Sequence, residues 1–235
     1  MLAITSISPN HVNSDTQQKA INSWRKLGMQ CFSFNHPKEV VELKSKYKNI
    51  DFISTDYTME HLYGKPYVSI STMITAMLNE DENICLINSD IELAHEPKLL
   101  KKIEKKLTTS VIIANRNDYD KKKVNTTQYI HGIDVFFLSP EHLKLYPPSS
   151  FCMGQCFWDY HIPYVALQND VEVINLQNKF AFHKKHEVQY SEEHWRKAGE
   201  YFILEHGLNF SKNEVGRMNE LVFNYLNLMC KKVSL

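Results

Sequence analysis

The sequence predicts an α/β protein with a mainly parallel central sheet flanked by helices and followed by C-terminal helices. Three observations carry this. Short apolar runs of strand length alternate with amphipathic helical patterns through the first 115 residues, as crossover-connected parallel strands require. The run Ile84-Cys85-Leu86-Ile87 is apolar at every position, the mark of a strand buried on both faces, and ends abruptly in Asn88-Ser89-Asp90-Ile91-Glu92. Two amphipathic patterns, near 192–205 and 213–231, fill the last part of the chain.

Taken in order, Leu2–Ile7 reads as the first strand. Ser14 or Asp15 can cap the next helix, whose Ala20, Ile21, Trp24 and Leu27 form an apolar stripe. Met29–Phe34 is a second strand, Pro37–Tyr47 a helix and Ile50–Ser54 a third strand. A loop with Tyr63-Gly64-Lys65-Pro66 leads to a helix over about Tyr67–Leu78, then to the strand at 84–87. Pro97–Leu107 is a helix with proline in its first turn, where the missing N–H is harmless. Ser110–Ala114 is the next strand. The pattern then changes: Asn115–Tyr129 is polar and reads as a long loop, Ile133–Leu138 as a strong strand, and Pro147-Pro148-Ser149-Ser150 as a turn. Cys156–Gln168 is aromatic-rich and helical in part, with Pro163 ending or kinking it. Val171–Leu176 and Lys179–Phe182 are short strands, and Glu192–Glu205 and Asn213–Lys231 are helices. In the last, Val215, Met218, Leu221, Val222, Tyr225 and Met229 share one face.

Composition bounds the function. Hydrophobic residues make up 43% and charged residues 23%, ordinary for a chain that buries a full core, and 1–235 reads as one domain. Lys plus Arg equal Asp plus Glu at 27 each, so no net field favours nucleic acid or an anionic membrane. No stretch approaches the roughly 18–20 apolar residues of a membrane span. Met1–Asn10 lacks the basic start and long apolar run of a secretory signal. Cysteines 31, 85, 152, 156 and 230 are odd in number and suit buried, reduced thiols; the cytoplasm is the expected setting. There is no G-x-G-x-x-G and no G-x-x-x-x-G-K-[ST], which argues against a dinucleotide fingerprint and a P-loop. A bound phosphate would then be held by a metal and side chains.

Three polar clusters fall at predicted strand ends or loops, where open α/β sheets bind ligands. In a strand alternating by two, Asn88, Asp90 and Glu92 share a face. They would offer an amide and two carboxylates to a hard divalent ion; the alternative is an ordinary polar turn. Phe182-His183-Lys184-Lys185-His186-Glu187 brings imidazole for a metal and lysine for phosphate, or is a basic surface loop. Its H-x-x-H spacing differs from the H-E-x-x-H of helical zinc sites. In Gly154-Gln155-Cys156-Phe157-Trp158-Asp159-Tyr160-His161, Asp159 suits a general base tuned by burial, and Trp158 offers a flat face to a sugar ring. Equally, Asp159 caps a helix while the aromatics fill the core. Thr5, Ser6 and Asn35 either line a nucleotide pocket or begin turns, and Lys65 either meets a phosphate or stays solvated. Asp134 lies in an apolar strand, where an unpaired carboxylate is costly, and therefore needs a partner or a role.

The order of these clusters resembles that of the GT-A glycosyltransferases over roughly residues 1–190. The resemblance implies a Rossmann-like half (1–115) for a nucleotide-diphosphate sugar, a UDP-sugar foremost, and an acceptor and catalytic half (116–190). Helices at 191–235 have no counterpart in it and are open to packing on the core or to a homodimer. Asn88-Ser89-Asp90 stands where a D-x-D-type motif would fall, with Asn replacing the first acid. By this match Asp90 would bind Mn²⁺ or Mg²⁺, with His183 as a late ligand and Glu92 as a possible second carboxylate. Thr5, Ser6, Asn35, Lys65, Asn88 and Lys185 would contact the donor. Asp134 and Trp158 would face the acceptor, a glycan or other hydroxyl compound, and Asp159 would be the base of an inverting transfer. The sugar-phosphate nucleotidyltransferases share such a core but carry a Gly-rich basic loop after the first strand; residues 5–15 here hold no glycine, arginine or lysine. A non-catalytic nucleotide- or glycan-binding protein on the same fold is a further alternative, favoured by Asn88.

Overall fold

The computed structural model describes residues 1–10, 14–186 and 191–235. The apolar runs of the first half become β1 (Leu2–Thr5), β2 (Gln30–Asn35), β3 (Asp51–Ser54) and β4 (Ile84–Ile87). With β6 (Ser110–Tyr119), β7 (Thr127–Leu138), β8 (Glu172–Leu176) and β10 (Lys231–Val233), they build a sheet of order β10-β8-β6-β7-β4-β1-β2-β3. Two more strands, β5 (Ile91–Leu93) and β9 (Ala181–Lys184), pair with each other, and β9 also joins the outer end of β6. The ladders are mostly parallel; β7 and the short β5 run against the rest.

Alternation by two along each strand divides the core between the two faces of the sheet. In β4, Cys85 and Ile87 join Ala3, Cys31, Ile112 and Phe137 under α1 (Ser14–Lys26), α2 (Pro37–Lys46) and α5 (Pro97–Lys106), whose Ala20, Ile21, Trp24, Leu43, Leu99 and Ile103 close that side. Ile84 and Leu86 of the same strand join Ile4, Ile113, Phe136 and Leu138 on the other face. There the cover comes from α4 (Ile70–Met77), α7 (Trp158–Gln168), α8 (Glu192–Glu205) and α9 (Val215–Met229). Two one-turn helices, α3 (Glu60–Tyr63) and α6 (Pro140–Leu143), and a 3-10 turn at Lys212–Glu214 complete the set among the described residues. No helix among them is long and apolar enough to cross a membrane.

Several elements depart from the sequence reading. The predicted loop at Asn115–Tyr129 is mostly strand: β6 continues to Tyr119 and β7 begins at Thr127, leaving a tip of 120–126. Its polar residues tolerate burial because they are paired. Asn115 Nδ2 donates to the Gly132 carbonyl at 3.0 Å, and Asn117 Nδ2 to that of Ala181 at 3.2 Å. The helix foreseen from Tyr67 starts at Ile70, with the Ser69 hydroxyl capping the Thr72 amide at 3.1 Å. Pro163 does not end α7; it deletes the one bond the Asp159 carbonyl would accept from position 163, and burial of the helix face holds the rest. In α9 the buried face is Val215, Met218, Val222 and Leu226, while Leu221 and Met229 are each 50% exposed. Ser14 opens α1 and Asp15 lies in its first turn. The Ser14 side chain and residues 11–13, where that cap falls, lie outside the described residues, as does Glu187.

Candidate active site at the carboxyl edge of the sheet

Strands β1 and β4 are neighbours, while β2 continues from β1 in the opposite lateral direction. Such a reversal of strand order opens a crevice at the carboxyl ends. The residues leaving β4 there do not alternate as an extended strand. Asn88-Ser89-Asp90 forms a turn before β5, closed by Ile91 N–H donating to the Asn88 carbonyl at 3.2 Å. Ser89 accepts from Gln17 Nε2 at 2.8 Å, and the Ile91 carbonyl from the Trp24 indole at 2.8 Å. The turn therefore separates the three residues expected on one face. Asn88 reaches the Asp134 carboxylate, Asp90 faces β9, and Glu92 accepts from Tyr119 Oη at 2.7 Å and pairs with Lys123 at 2.5 Å.

Asp90 meets two histidines. Its Oδ2 lies 3.4 Å from His183 Nε2 and 3.1 Å from His186 Nε2. Potential ligand atoms of Asp90, His183 and His186 all fall within 4.8 Å of one another, and Glu92 stands outside this group. His183 sits inside β9 rather than after it, opposite Asp118 in the β6 ladder, and its Nδ1 lies 2.9 Å from Asp118 Oδ1. Burial opposes charge on the ring, but the bonds to Asp118 and Asp90 outweigh it and raise His183 to about 9. Burial also works to raise the Asp118 carboxyl; the His183 bond and the Arg116 charge overcome it and hold Asp118 low.

Arg116 links this corner to the next. The β6–β7 register shifts between Ala114 and Asn117, a bulge that re-aims the intervening side chain. Arg116 Nε donates to Asp118 at 2.9 Å, Nη1 lies 3.4 Å from Asp134, and the Tyr129 ring covers the guanidinium at 4.4 Å. Gly132 makes room for this: a Cβ there would lie 2.7 Å from the Tyr129 ring and 3.3 Å from Asp134 Oδ2. Asp134, 4% exposed, thus has its partners in Arg116 and Asn88, and burial raises its carboxyl. Asp159 lies in the first turn of α7 beyond it. Burial, then the Asp134 charge, raise Asp159 to about 7, against backbone N–H bonds that lower it. Phe157, just before α7, has φ 66° and packs its ring on Trp195 and Phe202 of α8.

Other expected site residues are placed differently. Trp158 is 3% exposed with Phe136 edge-on at 5.0 Å between centroids, so its ring is core and no platform for a sugar. Thr5 is buried against the Met153 sulfur at 3.4 Å. Asn35 is buried, donating to the Ile7 carbonyl at 2.9 Å and to Glu39 at 3.0 Å. Ser6 is partly exposed just past β1, and Lys65 is exposed in the loop after α3. Lys185 is exposed and 3.7 Å from Asp120. Arg116 and Asp118 were missed because Asn-Arg-Asn-Asp reads as loop. Their one signal was the period-two alternation of amides with charges along 115–118. His186 was visible within the His183 cluster but carried no role.

No family model matches the chain, and no curated protein matches it in sequence. Among solved structures, it is similar to a protein assigned as a nucleotide-diphospho-sugar transferase from Desulfovibrio desulfuricans G20. That likeness has a TM-score of 0.44 at 11% identity and covers 99% of this chain and 98% of the other. A protein assigned as a glucose-1-phosphate thymidylyltransferase from Bacillus anthracis, crystallised with sucrose, aligns with TM-score 0.42 and 8% identity, over 95% and 99% of the two chains. Shared architecture of this degree does not define function.

The donor set suits a divalent ion of intermediate hardness. Two imidazoles and one carboxylate converge within 4.8 Å, a combination that favours Mn²⁺, Fe²⁺, Co²⁺ or Zn²⁺ over an ion that prefers oxygen alone. Asp118, Asp134 and Asp159 add carboxylates nearby, and Arg116 is the fixed cation among these partners.

Proposed function

We propose that this chain is a metal-assisted glycosyltransferase of the GT-A type, using a nucleotide-diphosphate sugar and a hydroxyl acceptor. The observation that carries the reading is the convergence of Asp90, His183 and His186 beside the carboxyl end of β4, with Asp159 held near neutrality across the Arg116–Asp134 bridge. A bound Mn²⁺ would supply positive charge where a nucleoside diphosphate departs; the Mg²⁺ also expected from the sequence suits two imidazoles less well. The protein's own groups do the rest. Asp90 and the two imidazoles hold that position, while Ser6, Lys65 and Lys185 are the accessible candidates for donor contact.

Asp159, ionised above about pH 7, accepts the proton of the acceptor hydroxyl as its oxygen attacks the anomeric carbon. Attack opposite the departing diphosphate inverts that centre. A carboxylate with a raised pKa is the stronger base, and such bases contribute on the order of 10²–10⁴ in rate. Asn88 is engaged with Asp134, so its proposed part is to hold the turn that presents Asp90.

The test is a panel of nucleotide-diphosphate sugars, with and without Mn²⁺, read by release of nucleoside diphosphate. Asp159→Asn should remove turnover while donor affinity stays nearly unchanged; unchanged turnover with weakened donor binding rejects the base. Asp90→Ala should weaken donor binding in Mn²⁺, and equal calorimetric affinities with and without the ion reject the metal role. Release of pyrophosphate from a nucleoside triphosphate instead assigns nucleotidyl transfer. Binding without turnover across the panel assigns a non-catalytic module.

A further inference from the structure

In the proposed metal centre, each imidazole faces the ion only if its ring plane and tautomer are fixed. We infer that Asp118 is the positioning residue of that centre, fixing the tautomer and plane of His183 so that Nε2 is the nitrogen presented to the ion. This rests on the proposed metal centre and adds a residue lying outside the Asp90–His183–His186 group.

Asp118 and His183 are direct partners in the parallel β6–β9 ladder, so backbone register brings the two side chains together. Asp118 Oδ1 lies 2.9 Å from His183 Nδ1. An ionised carboxylate only accepts hydrogen bonds, so Nδ1 carries a proton. Nε2 is then the nitrogen on the Asp90 side, 3.4 Å from Asp90 Oδ2. Imidazole ligands commonly donate their second N–H to a carboxylate, which fixes the ring and raises its basicity.

Asp118 is itself held. Arg116 Nε donates to the same Oδ1 at 2.9 Å, and the guanidinium lies beneath the Tyr129 ring with its other end 3.4 Å from Asp134. The Asp118 side chain is 13% exposed and that of His183 6%, so water competes little for either group. A merely charge-balancing acid would need neither this register nor this clamp. Asp120, two residues on, is a control: its side chain is 75% exposed and 3.7 Å from Lys185.

The experiment measures Mn²⁺ affinity of the full chain by calorimetry, with free ion counted by electron paramagnetic resonance, and Co²⁺ binding by visible absorption. His183→Ala establishes whether the centre exists. Asp118→Asn should weaken Mn²⁺ binding about 10–100-fold and change the Co²⁺ spectrum, with the metal-free melting temperature close to wild type. Asp120→Asn should bind as wild type does. If Asp118→Asn fails to fold, Asp118→Ser carries the same comparison. Wild-type affinity and spectrum in the Asp118 variant, with binding lost in His183→Ala, overturn the positioning role and leave the metal centre standing. An equal loss in Asp120→Asn reduces the effect to net charge and overturns it too. Wild-type protein that binds neither ion, or binds both equally without His183, overturns the centre and the inference together.

Discussion

In its proposed role as base, Asp159 would trade stability for reactivity. Its carboxyl, raised to about 7 by burial and by Asp134, is ordinarily ionised above about 4 in an unfolded chain. Between these limits the folded protein binds more protons, so the stability Asp159 contributes is full below pH 4 and lost as pH rises through 7. Asp159→Asn should therefore melt at a higher temperature than wild type at pH 8, with the gap closing toward pH 4. A gap that stays constant with pH would show that Asp159 is unperturbed. Turnover should move the opposite way, rising through pH 7 as the base ionises. The candidate groups were legible at this scale, because Asp90, Asp159 and His183 each follow or interrupt an apolar run. Their partners were not. Asp118 pairs with His183 through the register of β6 with β9, and nothing in either local sequence encodes that pairing.

The elements were most legible where one face is buried and least where polar strands pair. Ala20, Ile21 and Trp24 mark α1, and the apolar run at 84–87 marks β4, because burial alone sets both patterns. The outer halves of β6 and β7 were hidden. Their amides are satisfied by carbonyls far away in sequence, as Asn117 is by Ala181, and the bulge that turns Arg116 inward leaves no periodic trace. Trp158 was misplaced for the opposite reason: beside a candidate base, a core aromatic and a sugar platform look alike. Where α8 meets α9, Gly199 makes the contact possible; a Cβ would stand 2.3 Å from Val215 Cγ1 and 3.2 Å from the Phe157 ring. Alanine normally favours a helix over glycine by about 1 kcal/mol. Here overpacking should win, and Gly199→Ala should destabilise the protein by about 1–3 kcal/mol in urea unfolding. A stabilised variant would show that α8 and α9 sit further apart.

Across the whole molecule, the helical layer over the second face is joined by a pair of imidazoles, His161 buried and His206 partly so. His161 of α7 lies 3.1 Å from His206 at the end of α8, among Phe151, Phe202 and Tyr164. Burial pushes His161 down to about 3, helped by His206, and pushes His206 down to about 4. An unfolded chain takes up these protons below about pH 6.5 and the folded one does not. Stability from the pair is thus present above 6.5 and lost as pH falls toward 4. Asp159 gains stability over the same window, so the pair is read from the difference between proteins: wild type should lose melting temperature relative to His206→Phe as pH falls from 6.5 to 4, and an unchanging difference would exclude the pair. The same helical layer also sets the backbone at Phe157. A bulky residue at φ 66° carries a conformational penalty of about 1–2 kcal/mol, and the ring's seat on Trp195 and Phe202 of α8 offsets it. The seat on α8 is thus coupled to the twist that lies two residues before Asp159. Loosening α8 should therefore expose the amides at the start of α7 to hydrogen exchange before those of β1 and β4.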